Sequence, residues 1–160
     1  MQVQKNSEGR RKIMLQGIET IFDNMEQMMH HLKKKSYEAN TEVFVRDHGF
    51  YFQEMKEYVE AAGEGKEAAA LELAECFANA VEKKYKNKKG KINARTQMDL
   101  NFFMIYYVFP TILKLESPDS KLIADSVCKV WSQTFKDSDI QYTDYDTLYA
   151  SFREKIFGIF

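Results

Sequence analysis

The sequence predicts an all-α fold: a single-domain bundle of about six helices around a central apolar helix at 93–114. Apolar residues recur at steps of three and four along most of the chain, which places them on one face of a helix. Seven glycines and two prolines in 160 residues are few for a chain rich in strands or linkers. We expect one helical domain at 10–160 behind a polar, flexible N-terminus at 1–9.

The first predicted helix is amphipathic, and a run of lysines at 33–35 suits the negative end of its dipole. Its apolar side chains alternate steps of four and three over about three heptads, at Met14, Ile18, Ile21, Met25, Met28 and Leu32. This seam is interpreted as packing on the protein's own core, with coiled-coil dimerisation as the alternative. After a short connection, Thr41 can cap a second helix. That helix is expected to end near Ala62, before a glycine turn at 63–65.

The third predicted helix, at 66–86, is rich in alanine. Small side chains let a partner helix approach closely, so we expect this helix to lie beside the central one. A basic stretch with Gly90 in its turn then leads to the central helix, which Asn93 or Thr96 can cap.

The central segment, NARTQMDLNFFMIYYVFPTILK, is the most apolar in the chain. One face consists of residues at steps of three and four, namely Met98, Phe102, Ile105, Phe109 and Ile112. Other large side chains fall outside this face, so we expect the helix to be covered on most sides, within one domain or by a second copy. Pro110 has no N–H for the carbonyl of Tyr106, which predicts a kink or a break. The apolar run at 102–113 is shorter than the about 20 residues of a membrane span.

Two further helices complete the predicted bundle. Ser117 as N-cap, followed by proline, marks the start of a fifth helix that ends near Lys136. Thr143 can cap a sixth, and the apolar end of the chain at 156–160 is expected to dock on the domain or on a partner. The helices can form three antiparallel hairpins. No repeat signature near 34 residues is present, so a compact bundle is predicted over a solenoid.

Composition and motifs argue against several classes of function. The chain has 23 basic and 24 acidic side chains, which does not suit a strongly basic nucleic-acid-binding protein. It contains no GxSxG, GxGxxG or P-loop motif, so no catalytic residues and no cofactor are predicted. The two cysteines form no CxxC and no secretory signal is visible, so we expect buried, reduced thiols in a cytoplasmic protein.

Histidines and acids offer one weak metal constellation. Glu26 and His30 are four residues apart, and Asp47 and His48 would come near them if the first two helices pack antiparallel. The Glu-x-x-His pairs of di-iron bundles and the HExxH motif are absent. The acidic stretch at 137–148 lacks the glycine and glutamate of a calcium loop. No metal site is therefore predicted.

Three hypotheses about function remain. The first is a non-enzymatic, self-associating protein-interaction module, a homodimer with interface residues Met14, Ile18, Met25, Met28 and Phe160. The second is a small-molecule or lipid-binding bundle with an aromatic pocket, formed by Phe103, Tyr106, Tyr107, Trp131 and Tyr149. The third is weak nucleic-acid binding through a basic run at 83–95, which holds Lys83, Lys84, Lys86, Lys88, Lys89, Lys91 and Arg95.

Overall fold

Helices make up most of the protein in a computed structural model that describes residues 2–31, 37–136, 138 and 140–151. The α-helices in these ranges are α1 (Gln2–Asp23), α2 (Met25–His31), α3 (Tyr37–Glu60), α4 (Lys66–Tyr85), α5 (Ala94–Phe103), α6 (Phe109–Leu113) and α7 (Ser120–Thr134). A 3-10 turn, Gly63–Gly65, joins α3 to α4, and a π-helix, Met104–Val108, joins α5 to α6. Residues 145–151 are also helical. The described residues form no strand, so the all-α prediction is confirmed.

The central helix lies in the core, as predicted. Residues 94–113 are helical without interruption, and 103–109 are all buried. The buried apolar side chains of all the helices form a single cluster around it. Met98 is an exception to the predicted face, because 70% of its surface is exposed. The π-helix that follows α5 adds a residue to one turn. Residues at steps of three and four before and after it therefore do not share one face, as they would on a regular α-helix.

The disturbance predicted at Pro110 appears as a widened turn and not as a break. The N–H of Phe109 donates to the carbonyl of Met104, five residues back, which is the bond of a π-helix. The hydroxyl of Thr111 donates to the carbonyl of Tyr107 at 2.7 Å. The proline is therefore accommodated by a change of helical type and by side-chain bonding, and the helix continues past it.

The helices pair only partly in the expected order. α1 packs against α3, as expected for the first two predicted helices, but α4 makes its most extensive contacts with α7. The alanine-rich α4 thus packs against α7, and the expectation that it would lie beside the central helix is wrong. An ion pair between Lys66 Nζ and Asp119 Oδ2, at 3.2 Å, joins the two helices where they begin. Small residues permit a close approach, but they do not specify which helix makes it.

The N-terminal helices differ from the prediction at three points. α1 begins at Gln2, within the segment expected to be flexible, and the flexibility itself stays a prediction. A turn at Asn24 divides the expected first helix into α1 and α2. α3 begins at Tyr37, so Thr41 lies inside the helix and does not cap it. The turn at 63–65 is confirmed, with Gly63 at φ +59°, a conformation that favours glycine.

Side-chain caps near the other helix ends are partly as predicted. Asn93 accepts a hydrogen bond from the backbone N–H of Arg95 at 2.8 Å and caps α5. Asp144, and not Thr143, caps the last helical segment, because its Oδ1 accepts from the N–H of Thr147 at 2.8 Å. This bond from the backbone lowers the pKa of Asp144. None of the described helices is both long enough and apolar enough to span a membrane.

Candidate ligand-binding cleft

A cleft of about 450 Å³ lies where α1 passes into α2 and faces α3. Its lining residues are Thr20, Asn24, Gln27, Met28, Val43, Asp47, His48 and Tyr51. The first three are polar and lie at steps of four and three, so they share one face. Four lining residues come from α3, which confirms that the first two predicted helices pack side by side and bring Asp47 and His48 to this end of α1.

Glycine at position 17 fixes the approach of α1 to α3. The ring of Tyr51 occupies the space where a side chain at 17 would lie: a Cβ there would be 2.4 Å from Cδ1 of the ring. Such a distance is possible only because glycine has no Cβ. The cleft opens on the C-terminal side of this contact along α1, next to the turn at Asn24. The tyrosine therefore forms one wall of the cleft and at the same time holds the two helices together.

His48 is the most informative residue of the lining. Only 3% of its surface is exposed, and its Nδ1 has no hydrogen-bond partner among the described residues. Burial lowers the pKa of His48, and the nearby carboxylate of Asp47 opposes this effect. The imidazole is therefore neutral at pH 7, with one nitrogen able to accept a hydrogen bond and the other able to donate one.

The floor of the cleft is continuous with the aromatic core. The ring centroid of Phe44 lies 4.9 Å from that of His48. The same phenylalanine packs edge-on against Phe103 at 5.6 Å and at a tilt against Tyr107 at 5.5 Å. The imidazole thus packs on Phe44 of its own helix, and rings of the central helix hold Phe44 in turn, which restricts the movement of both side chains.

The single ionised side chain of the lining is Asp47. Its carboxylate is half-exposed, and Arg46 Nε lies 3.2 Å from its Oδ1. Both partners are in contact with solvent, so this ion pair contributes little to stability. Lysine and arginine are absent from the lining residues. The described wall of the cleft therefore combines one carboxylate, a neutral imidazole, amides, a hydroxyl, a phenol and two apolar side chains.

The aromatic side chains predicted to form a pocket do not line this cleft. Phe103, Tyr106, Tyr107 and Trp131 are buried in the core, while 45% of the surface of Tyr149 is exposed. Tyr106 stacks on a neighbouring ring of its own helix, with centroids 4.0 Å apart. None of the five lines the cleft. The four buried rings fill the interior, a role that periodicity alone does not distinguish from lining a pocket.

The residues predicted to form a dimer interface belong to the protein's own core. Met14, Ile18, Met25 and Met28 are all buried, and Met28 also lines the cleft. Phe160 lies outside the described residues. The seam is therefore covered by other helices of the same chain and does not present a surface to a second copy. Self-association through another surface stays a prediction.

Carboxylates lie close to several cations of the basic run. Lys83 pairs with Glu19 at 3.7 Å, Lys84 with Asp23, and Lys86 with Glu82 at 2.7 Å. These contacts reduce the positive charge that three of the seven cations of the run present to a phosphate chain.

The remaining part of the run forms an ordered turn before α5. Lys88, Lys89 and Lys91 are exposed there, and an isolated β-bridge joins Lys86 to Ile92 at its base. The side chain of Asn87 accepts backbone hydrogen bonds within the turn at 2.9 and 3.1 Å. Arg95 follows in the first turn of α5, where it is also exposed.

The described part of the chain contains no cluster of metal-ligating side chains. No group of three or more His, Cys, Asp or Glu side chains there is arranged to hold an ion. The side chain of His30, which is spaced four residues from Glu26, lies outside what the structure describes.

Sequence reasoning missed most of the cleft. From the sequence, Asp47 and His48 belong only to a weak metal constellation. Thr20, Asn24 and Tyr51 are not predicted as site residues. Two signals were available: a glycine inside an amphipathic helix, and a polar stripe at 20, 24 and 27 beside the apolar seam. In comparisons with protein-family models, characterised proteins and solved structures, nothing matches this chain. The site is therefore interpreted from its own residues.

Proposed function

We propose that the protein is a ligand-binding helical bundle that takes a small molecule into the cleft between α1, α2 and α3. The observation that carries the proposal is the unpartnered Nδ1 of His48 in the wall of this cleft. A buried polar atom without a partner costs about 1–3 kcal/mol. A bound molecule that supplies the missing hydrogen bond would recover this free energy on binding.

The size and lining of the cleft support the proposal. Ligand pockets in proteins are typically about 300–1,000 Å³ in volume and combine apolar walls with a few polar groups, and the cleft here measures about 450 Å³. Val43, Met28 and the ring of Tyr51 supply apolar surface, while His48 and Asp47 supply fixed polar groups. This arrangement suits binding and orientation of a small molecule.

The test is native mass spectrometry of the protein as purified, combined with ligand screening by NMR. In Val43→Trp a large ring is placed in the cleft wall, while Val45→Trp places the same ring on an exposed position of the same helix that does not line the cleft. We expect bound mass, or ligand-induced shifts at His48, in the wild type and in Val45→Trp but not in Val43→Trp. Binding that is equal in all three proteins would overturn the proposal.

Self-association is a second candidate function, now through the outer side of α3. Phe50 is 61% exposed there, and a large exposed ring is often part of a contact surface. If this surface joins two copies, Phe50→Asp should lower the sedimentation coefficient towards that of a monomer. Met98→Asp, a change at another exposed apolar position, serves as the control. A wild type that sediments as a monomer at high concentration would contradict the idea.

We also propose a reducing cellular compartment and weak nucleic-acid binding. Cys76 and Cys128 are free, buried thiols, which supports a reducing compartment such as the cytoplasm. Weak nucleic-acid binding is supported only by the lysines of the turn before α5 and by Arg95. Retention on a phosphate-bearing resin at low salt, lost in a Lys88→Glu/Lys89→Glu variant, would establish it.

A further inference from the structure

We infer that the ligand of the cleft is a small organic cation, an ammonium group with N–H donors attached to a compact apolar body. The inference rests on the proposed function, because it assigns a chemical class to the molecule that the cleft takes. Three independent features of the lining carry it: its charge, the direction of its hydrogen bonds and its aromatic wall.

The described lining carries a negative charge. Asp47 is the one ionised side chain among these described residues, since His48 is buried and neutral at pH 7. Arg46 approaches Oδ1 of this carboxylate, but from outside the lining and in contact with solvent. An exposed pair of this kind is weak, so a ligand cation can compete for the carboxylate. An anionic ligand would meet a like charge in the same position.

Where the donor or acceptor role of a polar group in the lining can be determined, the group acts as a hydrogen-bond acceptor. The hydroxyl of Thr20 donates its one proton to the carbonyl of Gln16 at 2.8 Å, so towards the cleft this oxygen can only accept. The carboxylate of Asp47 also only accepts. With the ring proton on Nε2, Nδ1 of His48 is a third acceptor. A molecule with N–H donors can form hydrogen bonds to acceptors of this kind, whereas a hydrocarbon would leave them unpaired.

The lining also contains an aromatic ring, that of Tyr51 on α3, the helix that carries Asp47 and His48. The ring of Tyr51 is held against the backbone of Gly17 and lies 6.5 Å from the imidazole of His48, inclined by 29°. A tyrosine face attracts a cation placed over it and also gives apolar contact to the body of the ligand. Met28 and Val43 extend this apolar contact on the side of α2 and on α3.

The experiment compares three probes of similar size that differ in charge: benzylammonium, benzyl alcohol and benzoate. Binding to the full-length protein at pH 7.5 is followed through the imidazole ¹⁵N resonances of His48. We expect benzylammonium to bind at least about tenfold more tightly than the alcohol, and benzoate to bind most weakly. The spectrum of the free protein should show the tautomer protonated on Nε2.

Two variants locate the effect. Asp47→Asn keeps the shape of the side chain and removes its charge, and should weaken benzylammonium binding about three- to fivefold while benzyl alcohol binding is unchanged. Glu75→Gln removes one charge from an exposed position of α4 outside the cleft and should change neither. These outcomes together would support a cation site at the carboxylate.

Other outcomes would overturn the inference. If benzyl alcohol or benzoate moves the His48 resonances at lower concentration than benzylammonium, the cleft binds a ligand of another class, and the proposed function stands without the cation. If none of the probes moves these resonances, the cation class is also wrong. The proposed function is tested separately, by native mass spectrometry. It fails if Val43→Trp retains the same ligand mass as the wild type.

Discussion

Replacing Gly17 by alanine should destabilise the protein, although glycine inside a helix is normally a weak point. Position 17 lies within α1, where alanine is favoured over glycine by about 1 kcal/mol from helix propensity alone. The contact with Tyr51 opposes this gain. A Cβ at position 17 would lie 2.4, 2.5 and 2.7 Å from Cδ1, Cγ and Cβ of the tyrosine.

The size of the clash follows from these distances. Carbon atoms in contact are separated by about 3.5–4.0 Å, so the new methyl group would overlap the tyrosine by more than about 1 Å. Rotation of the ring does not relieve the contact with Cβ, so α1 and α3 must move apart. Overpacking of this kind costs about 1–3 kcal/mol. Set against the propensity gain of about 1 kcal/mol, we expect a net loss of up to about 2 kcal/mol in the free energy of unfolding.

The assay is urea unfolding followed by circular dichroism. Gly49→Ala is the matched control, because position 49 lies inside α3 and a Cβ there would meet its nearest neighbour, Val45, at 4.0 Å. The control should gain about 0.5–1 kcal/mol. In the background of Tyr51→Ala, the Gly17→Ala change should lose most of its cost. If Gly17→Ala is as stable as the control, the close approach of α1 and α3 at this point is refuted.

Two further predictions concern titratable side chains. The hydroxyl of Tyr58 donates to Glu72 Oε2 at 2.6 Å, and burial together with this bond raises its pKa to about 12; the unfolded value is about 10. The corresponding stabilisation is complete below pH 10 and is lost as the pH rises through 12. Tyr58→Phe should therefore cost about 1 kcal/mol in the free energy of unfolding at pH 7. In urea titrations the variant should lose less stability above pH 10 than the wild type does. Burial raises the pKa of the Cys128 thiol, so iodoacetamide at pH 8 should label it only after unfolding; mass spectrometry showing labelling of the native protein within minutes would contradict its position in the core.

The fold class was predictable because it depends on local periodicity. The apolar stripe of α1 and the aromatic density of 102–109 both require burial, and the structure buries the stripe and residues 103–109. The glycine turn at 63–65 was predictable for a similar reason, since few other residues adopt a positive φ without strain. These features are encoded within a few turns of the chain, where spacing and backbone preference decide the outcome.

The pairing of helices and the cleft were not predictable from local pattern. The alanines of α4 would suit any close neighbour, and the choice of α7 depends on the shape of the whole interior. The cleft depends on a turn at Asn24 within an otherwise regular apolar seam, and on the burial of His48 by Phe44 from the same helix. In the sequence, nothing distinguishes His48 from an ordinary polar residue of a helix. It indicates a site only because the structure buries it with no hydrogen-bond partner for Nδ1 among the described residues.

The pairing of α4 with α7 also has a consequence for biosynthesis. The ribosome completes α4 about fifty residues before it completes α7, which at about 5–20 residues per second is an interval of several seconds. During that interval α1 and α3 have both emerged and can pair, while α4 still lacks α7, the helix with which it makes its most extensive contacts. The order of translation therefore separates assembly into an early N-terminal pair, which carries the cleft, and a late step that closes the bundle.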